Sequence, residues 1–292
     1  MLVRLVTFPG MSTPEDPAAR FLSLHHEPSP LLLPNPWDIG SARLLSWLGF
    51  RALATTSSGF AATLGSLDGS VTKTAALEHA EMIVGGVDLP VSADLENGFA
   101  DDPAEVADTV LDAIGTGLAG CSIEDFSGDD SEPIYPLALA TERIAAAAEA
   151  AHNGDRRLVL TARSENYLHG RPDLADTITR LQAFQEAGAD VLYAPGISGV
   201  SEIGAIVSSV DRPVNALLHP HGPTVKQLTE LGVQRISVGG SFAFAALGAL
   251  VEAGRDLLAG STDGLFERVA IGREAVNQAF GMPSIALRRH RA

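Results

Sequence analysis

The sequence predicts a parallel (β/α)8 TIM barrel, and three observations carry that expectation. Short apolar runs rich in β-branched and aliphatic residues alternate with longer helical patterns from Leu31 until the last forty or so residues. The apolar runs carry no continuous polar face, as strands covered by helices on one side and by a barrel interior on the other require. Eight strand-then-helix units fit into about 230 residues, the length of one such barrel.

The units run in order along the chain. Strands are expected at Leu31–Asn35, Ala52–Ser57, Val91–Glu96, Gly120–Glu124, Leu158–Arg163, Val191–Ala194, Val214–Leu218 and Arg235–Val238. Helices are expected at Ser41–Leu48, Thr74–Val84, Pro103–Ile114, Leu137–Ala151, Asp173–Ala187, Val200–Ser208, Thr224–Leu231 and Ala243–Leu258. Thr72 and Asp102 stand as caps before two of them, and Gly188 and Gly232 follow the ends of two others. An open doubly wound sheet would want a glycine-rich phosphate turn after its first strand, where Asn35-Pro36-Trp37-Asp38 stands instead. One domain is expected over residues 1–292, with residues 1–20 as an extended or helical arm and residues 263–292 as an extra C-terminal helix, Asp263–Phe280, and tail. That helix has no place in the ring, so it is expected to pack on a neighbouring subunit or to cap the barrel.

Composition narrows the function. A chain of 292 residues that is 46% hydrophobic can fill a large core. With 36 acidic and 20 basic side chains, a net charge of −16 disfavours nucleic acid and anionic membrane surfaces as partners. The cluster Arg288, Arg289, His290 and Arg291 reads as a solvated tail. The lone Cys121 cannot form an internal disulfide, and Leu2–Phe8, interrupted by Arg4, is too short for a signal-peptide core, so a cytoplasmic location is expected.

In such a barrel the reacting groups lie at the C-terminal strand ends. Asp94 and Glu96 alternate along the third expected strand, which puts both carboxylates on one face about 6.6 Å apart at the backbone. The same parity sends Ser122 and Glu124 inward and Cys121 toward the helices. Asp68, in the loop after the second strand, is a fourth acid. Acids converging on one mouth repel unless a cation neutralises them, which points to Mg2+, with Mn2+ as the other hard-ion choice, on Asp94, Glu96 and Glu124. The plainer alternative is that each acid caps a helix or pairs with arginine. His/Cys spacing motifs for zinc are absent.

Arg163 ends the fifth strand with inward parity, where it can hold the site's own acids or grip a substrate carboxylate or phosphonate. Thr55 to Phe60 offers hydroxyls and Gly59, either for an anion or for an ordinary turn. The seventh strand carries Asn215, and His219-Pro220-His221 is a proton carrier or a surface turn. Lys73 and Lys226 both fall at helix starts, so a Schiff-base lysine is not expected inside the barrel, and metal-stabilised enolate chemistry is favoured over an iminium. Cys121 reads as a small buried hydrophobe.

Taken in order and at strand ends, these segments resemble the isocitrate lyase and phosphoenolpyruvate mutase superfamily from Phe21 to Phe280. The resemblance rests on Asn35-Pro36-Trp37-Asp38, Ser58-Gly59-Phe60, Asp68, Asp94-Leu95-Glu96-Asn97-Gly98, Ile123-Glu124-Asp125 and Thr161-Ala162-Arg163. It implies a magnesium ion held by Asp94, with Glu96, Glu124 and Asp68 contacting it directly or through water. It implies a small 2-oxo acid or carboxylate substrate placed by Ser58, Gly59, Phe60 and Arg163, with Trp37, Asp38 and Asn215 also at the substrate and Asp68, Glu124 and Arg163 in catalysis. A homodimer or homotetramer with swapped C-terminal helices is implied as well.

Two departures stand out. Glu96 replaces the motif's second Asp, and the segment Phe126–Pro136 carries neither the Lys-x-Cys-Gly-His loop of the lyases nor the Asn-rich loop of the mutases. The expected activity is therefore a magnesium-dependent C–C lyase, resembling oxaloacetate decarboxylase or methylisocitrate lyase, with its proton from water, Tyr135 or His219. P–C bond chemistry on a phosphonopyruvate-like substrate and a non-catalytic metal- or carboxylate-binding barrel are the alternatives.

Overall fold

The computed structural model describes residues 16–154, 156–262 and 264–281. Most of the expected N-terminal arm, the residue Asp263 and the basic C-terminal tail lie outside the described residues.

The elements run α1 (Pro17–Leu24), β1 (Leu31–Leu33), α2 (Ile39–Trp47), β2 (Leu53–Ala54), α3 (Ser57–Thr63), α4 (Lys73–Gly86), β3 (Val91–Asp94), α5 (Pro103–Gly115) and β4 (Gly120–Glu124). They continue with α6 (Leu137–His152), β5 (Val159–Arg163), α7 (Leu174–Glu186), β6 (Val191–Tyr193), α8 (Val200–Ser209), β7 (Val214–Leu217), α9 (Val225–Glu230), β8 (Arg235–Ser237), α10 (Ser241–Leu258) and α11 (Leu265–Gly281). The strands form one eight-stranded sheet in the order β1-β8-β7-β6-β5-β4-β3-β2, every pairing parallel. This is the (β/α)8 barrel that the sequence predicts. No ladder joins β1 to β2; the seam is held by the Ala54 amide on the Pro34 carbonyl at 3.1 Å and the Asn35 amide side chain on the Thr55 carbonyl at 3.1 Å.

Period-two alternation sorts the side chains. Ala93, Cys121, Ile123, Leu160, Ala162, Leu192 and Ile236 face the helices and join the main core. A second cluster closes the lower end of the barrel, where Phe21 and Leu24 of α1 meet Leu31, Leu33, Ala52, Ala119, Val159 and Val191. A Cβ on Gly120 would stand 2.7 Å from the Val159 carbonyl oxygen and 2.9 Å from the Phe21 ring, so only glycine leaves room for that plug.

Helix starts follow the expected chemistry. Thr72 accepts from the Ala75 amide at 3.3 Å, and Asp102 from the Ala104 amide at 2.8 Å ahead of Pro103. Two local readings are corrected. β3 stops at Asp94, and Glu96 takes a φ of 48°, so strand parity does not put Asp94 and Glu96 on one face. Ser57 and Ser58-Gly59-Phe60 belong to a short helix rather than to a strand end and a loop, because Thr56 accepts from the Gly59 amide and opens a turn.

α11 returns to α2, where the Phe280 ring meets the Arg43 guanidinium 5.2 Å away. The outer faces of α10 and α11 leave Phe244, Leu250, Leu258, Phe266 and Ile271 exposed. Among the described residues no helix is long and apolar enough to cross a membrane.

Candidate active site

A cavity of about 200 Å³ opens among the C-terminal ends of the strands, lined in part by Asn35, Ser57, Ser58, Asp68, Asp94, Ser122, Arg163, Tyr193, Asn215, Arg235 and Ser237. Asp94 stands at its centre because it ends β3. Its own amide donates to Thr55 Oγ1 at 3.0 Å. Its carboxylate accepts from the Ser57 amide at 3.3 Å, from Ser122 Oγ at 3.5 Å and from Arg163 Nη1 at 2.8 Å.

Arg163 serves three carboxylates at once. Besides Asp94 it meets Glu124 Oε2 at 3.1 Å through Nη2 and Glu165 Oε1 at 2.8 Å through Nε. Its ring neighbour is Tyr193, with 5.4 Å from guanidinium carbon to ring centre. Burial pushes the Glu124 and Glu165 carboxyls up, and the Arg163 charge pulls both back. Glu96, past the strand end, is pushed up to about 7, first by burial and then by Asp94 and Asp68. The acids that the sequence brings to this mouth are thus partly answered by arginine, while Glu96 feels Asp94 and Asp68 more strongly than it feels Arg163.

The metal reading can be tested on that arrangement. Among the described residues no three His, Cys, Asp or Glu side chains are drawn together into a coordination sphere. Asp94 and Asp68 line the cavity, whereas Glu96 and Glu124 do not. The donor chemistry still suits a hard cation: Asp94, Asp68 and Glu96 offer oxygen donors, and the first two raise the Glu96 carboxyl after burial has done so.

The expected substrate contacts divide. Ser58, Arg163 and Asn215 line the cavity; Trp37, Asp38, Gly59 and Phe60 do not. Asp38 is exposed and caps α2 in a reciprocal box with Ser41, accepting from its amide at 2.6 Å. Phe60 stacks on His79 at 3.8 Å, and the same imidazole bonds the Trp37 carbonyl at 2.9 Å. A Cβ on Gly59 would lie 2.6 Å from Thr56 Cγ2 and 3.2 Å from Trp37 Cβ, so glycine there serves packing. Neither expected proton carrier reaches the cavity. The Tyr135 hydroxyl donates to Asp101 and accepts from Asn97, its proton held up to about 12, first by burial and then by the Asp101 bond. His219 does not line the cavity, and its Nε2 is buried without a partner.

Other residues at the site carry no local motif. Asn35 accepts from the Val238 and Gly239 amides at 3.1 and 2.9 Å while donating across the seam. Glu165, two residues past the end of β5, is buried and pairs with Arg163. Arg235 and Ser237 share inward parity on β8. The segment Phe126–Pro136 folds on itself through a Phe126 to Ile134 bridge, and Phe126 stacks on His169 at 3.7 Å. None of its residues lines the cavity.

A closed parallel barrel with acids and an arginine at its C-terminal mouth has the layout of an enzyme active site. Comparison with known proteins gives that layout a family. The family described as phosphoenolpyruvate phosphomutase matches residues 21–258, and the chain belongs to it, within the isocitrate lyase and phosphoenolpyruvate mutase superfamily. The crystal structure of a candidate lyase/mutase from Burkholderia cenocepacia J2315 is 47% identical, covers 92% of this chain and 97% of its own, and has a TM-score of 0.87. The crystal structure of 2,3-dimethylmalate lyase is 26% identical over 89% of this chain and 99% of its own, with a TM-score of 0.77. Among relatives, 2-methylisocitrate lyase of Bacillus subtilis (strain 168) is 26% identical over 223 residues, 73% of this chain and 71% of its own. Oxaloacetate decarboxylase of Rhodopseudomonas palustris (strain BisA53) is 30% identical over 185 residues, 61% of this chain and 62% of its own. These homologues support an enzyme, and a lyase, of this superfamily.

Proposed function

We propose that the protein is a divalent-metal-dependent lyase that breaks a C–C bond beside a 2-oxo acid or a related small carboxylate. The observation that carries this reading is the joining of Asp94 and Arg163 in one cavity, an acid that can hold a hard cation beside a guanidinium that can hold a carboxylate. Relatives named 2-methylisocitrate lyase, 2,3-dimethylmalate lyase and oxaloacetate decarboxylase support it.

Asp94, helped by Asp68 and Glu96, would hold Mg2+ or Mn2+. Once bound, such an ion stabilises negative charge that develops on a substrate oxygen. The chain's own residues then have separate tasks. The Ser57 amide and Ser122 hydroxyl keep the Asp94 carboxylate oriented, and Thr55 pins its backbone. Arg163 neutralises the acids around it and offers its charged face to an incoming carboxylate. Ser58 and Asn215 supply polar contacts along the wall. Of the three proton sources expected from the sequence, Tyr135 and His219 lie away from the cavity, and water is the one we propose to return the proton to the product.

The experiment is release of pyruvate or another 2-oxo acid from oxaloacetate, alkylated oxaloacetates, methylisocitrate, isocitrate and phosphonopyruvate, with magnesium and again with chelator. Chelator-sensitive turnover of a C–C substrate that Asp94→Ala abolishes supports the proposal. Turnover of phosphonopyruvate alone would move the protein to P–C chemistry, and full activity of Asp94→Ala would remove the metal from this site. We also propose a homodimer or homotetramer, since the outer faces of α10 and α11 carry the large apolar side chains that a second copy would cover.

A further inference from the structure

The second arginine of the cavity, Arg235, differs from the first in its company. It opens β8, is 4% exposed, and lines the lower part of the cavity with its side chain directed inward. Its Nε donates to Asn215 Oδ1 at 3.0 Å, its Nη1 to Thr161 Oγ1 at 3.0 Å, and the same nitrogen stands 3.5 Å from His25 Nε2. All three partners are neutral. His25 gives its Nδ1 proton to the Phe21 carbonyl at 2.8 Å, and burial, with Arg235 itself as the next cause, holds its imidazole down to about 3. Among the described residues no carboxylate pairs with Arg235.

Two other arginines are paired with carboxylates, and the third with only neutral partners lies outside this cavity. Arg163 meets three carboxylates, and Arg180 meets Asp125 at 3.1 Å and Asp176 at 2.7 Å. Arg143 spends its charge on the carbonyls of Asn97, Ala100 and Asp101 and on the Tyr135 ring, 4.2 Å away, and it lines no part of this cavity. Keeping a guanidinium out of water without a counter-ion is costly. Here the charge instead faces a polar chamber whose walls, Asn215, Thr161 and Ser237, fix the guanidinium plane and bring no negative charge of their own. The cavity's own carboxylates do not reach this guanidinium: Asp94 is paired with Arg163, and no carboxylate of the described residues forms an ion pair with Arg235.

We propose that Arg235 forms a second anion subsite at the floor of the cavity, which takes a carboxylate of the bound ligand and selects small dicarboxylates over monocarboxylates. In naming that ligand the substrate, the proposal rests on the lyase reading; the subsite itself does not. The upper carboxylate lies by Asp94 and Arg163, and the lower one accepts from the Arg235 face that the neutral side chains leave open. Arg163, already shared among three acids, is the weaker of the two anchors, so the floor subsite supplies most of the discrimination.

The test is calorimetric binding of malonate and succinate against acetate and butyrate, on metal-stripped protein so that turnover and chelation play no part. The wild type is expected to favour the dicarboxylates at least tenfold. Arg235→Gln is expected to reduce that preference below threefold, with acetate binding changed by less than threefold. Asn215→Asp keeps the side-chain volume and places a carboxylate 3.0 Å from Nε, so it neutralises the floor in place and is expected to give the same loss. Far-ultraviolet circular dichroism establishes the fold of each variant, and Asn215→Asp decides the matter if Arg235→Gln does not fold. No dicarboxylate preference in the wild type, or an unchanged preference in a folded variant, overturns the subsite. The preference without turnover of any panel compound overturns only the lyase reading, and turnover that ignores Arg235 overturns only the subsite.

Discussion

Replacing Arg163 with Met tests the electrostatic logic of the mouth most directly. Methionine keeps much of the side-chain volume and removes the charge, leaving Asp94, Glu124 and Glu165 without the guanidinium that lies 2.8, 3.1 and 2.8 Å from them. Glu124 and Glu165 are almost fully buried, so water cannot take over. Removing one partner of such a buried network costs about 3–5 kcal/mol at neutral pH. For a chain of this size that corresponds to a fall in Tm of roughly 6–20 °C. The sign with pH follows from linkage. Both glutamates already bind protons more readily in the folded state than in the unfolded one, and losing Arg163 extends that tendency. The folded variant therefore gains stability relative to wild type as acid protonates the pair, and the deficit shrinks from pH 7.5 toward about pH 4.5, the ordinary glutamate range. Urea unfolding of both proteins at several pH values measures it. A deficit under about 1 kcal/mol at pH 7.5, or one that grows on acidification, would refute the reasoning, because it would mean that the acids do not depend on arginine for their neutralisation.

Three further expectations follow from single features. His25 is buried and neutral, with its imidazole held down to about 3, so stability contributed by this residue is complete above about pH 6.5 and is lost as pH falls toward 3. The wild type will show an extra slope of about 1.4 kcal/mol per pH unit in that window that His25→Asn lacks, and parallel unfolding curves would reject the assignment. Gly59→Ala forces a methyl group to within 2.6 Å of Thr56 Cγ2 and will cost about 1–3 kcal/mol in urea unfolding; a neutral substitution would mean that α3 shifts freely. Sedimentation equilibrium is expected to find a dimer or tetramer that the Leu250→Glu and Phe266→Glu variants dissociate, and a monomeric wild type would end the oligomer proposal.

The barrel was readable because its information is periodic. Strands with apolar runs and helices with 3.6-residue stripes repeat often enough to outvote local ambiguity, and the observed elements fall close to their expected bounds. What escaped was set by single residues. α3 is too short for a periodic stripe, and the Thr56 hydroxyl opens it. The parity argument held for Ser122, Thr161 and Arg163, which lie within their strands, and failed at Glu96, which lies past the end of β3 with a positive φ. Asp38, which the resemblance places at the substrate, caps α2 through the Ser41 amide, a role that depends on local backbone geometry. Arg235 carried no signal at all, since what distinguishes it is the neutrality of neighbours drawn from the end of α1, β5 and β7, which no stretch of sequence displays.

The unladdered seam between β1 and β2 sets where this barrel breathes. Elsewhere each stave shares its load across a run of amides, but here the closure is carried by one backbone bond and one side-chain amide. Asn35 also grips the amides of Val238 and Gly239, so a fluctuation that parts the staves loosens the cavity wall on the opposite flank in the same movement. Deuterium uptake at the Ala54, Val238 and Gly239 amides is therefore expected to rise and fall together, because one side chain ties both edges of the first stave.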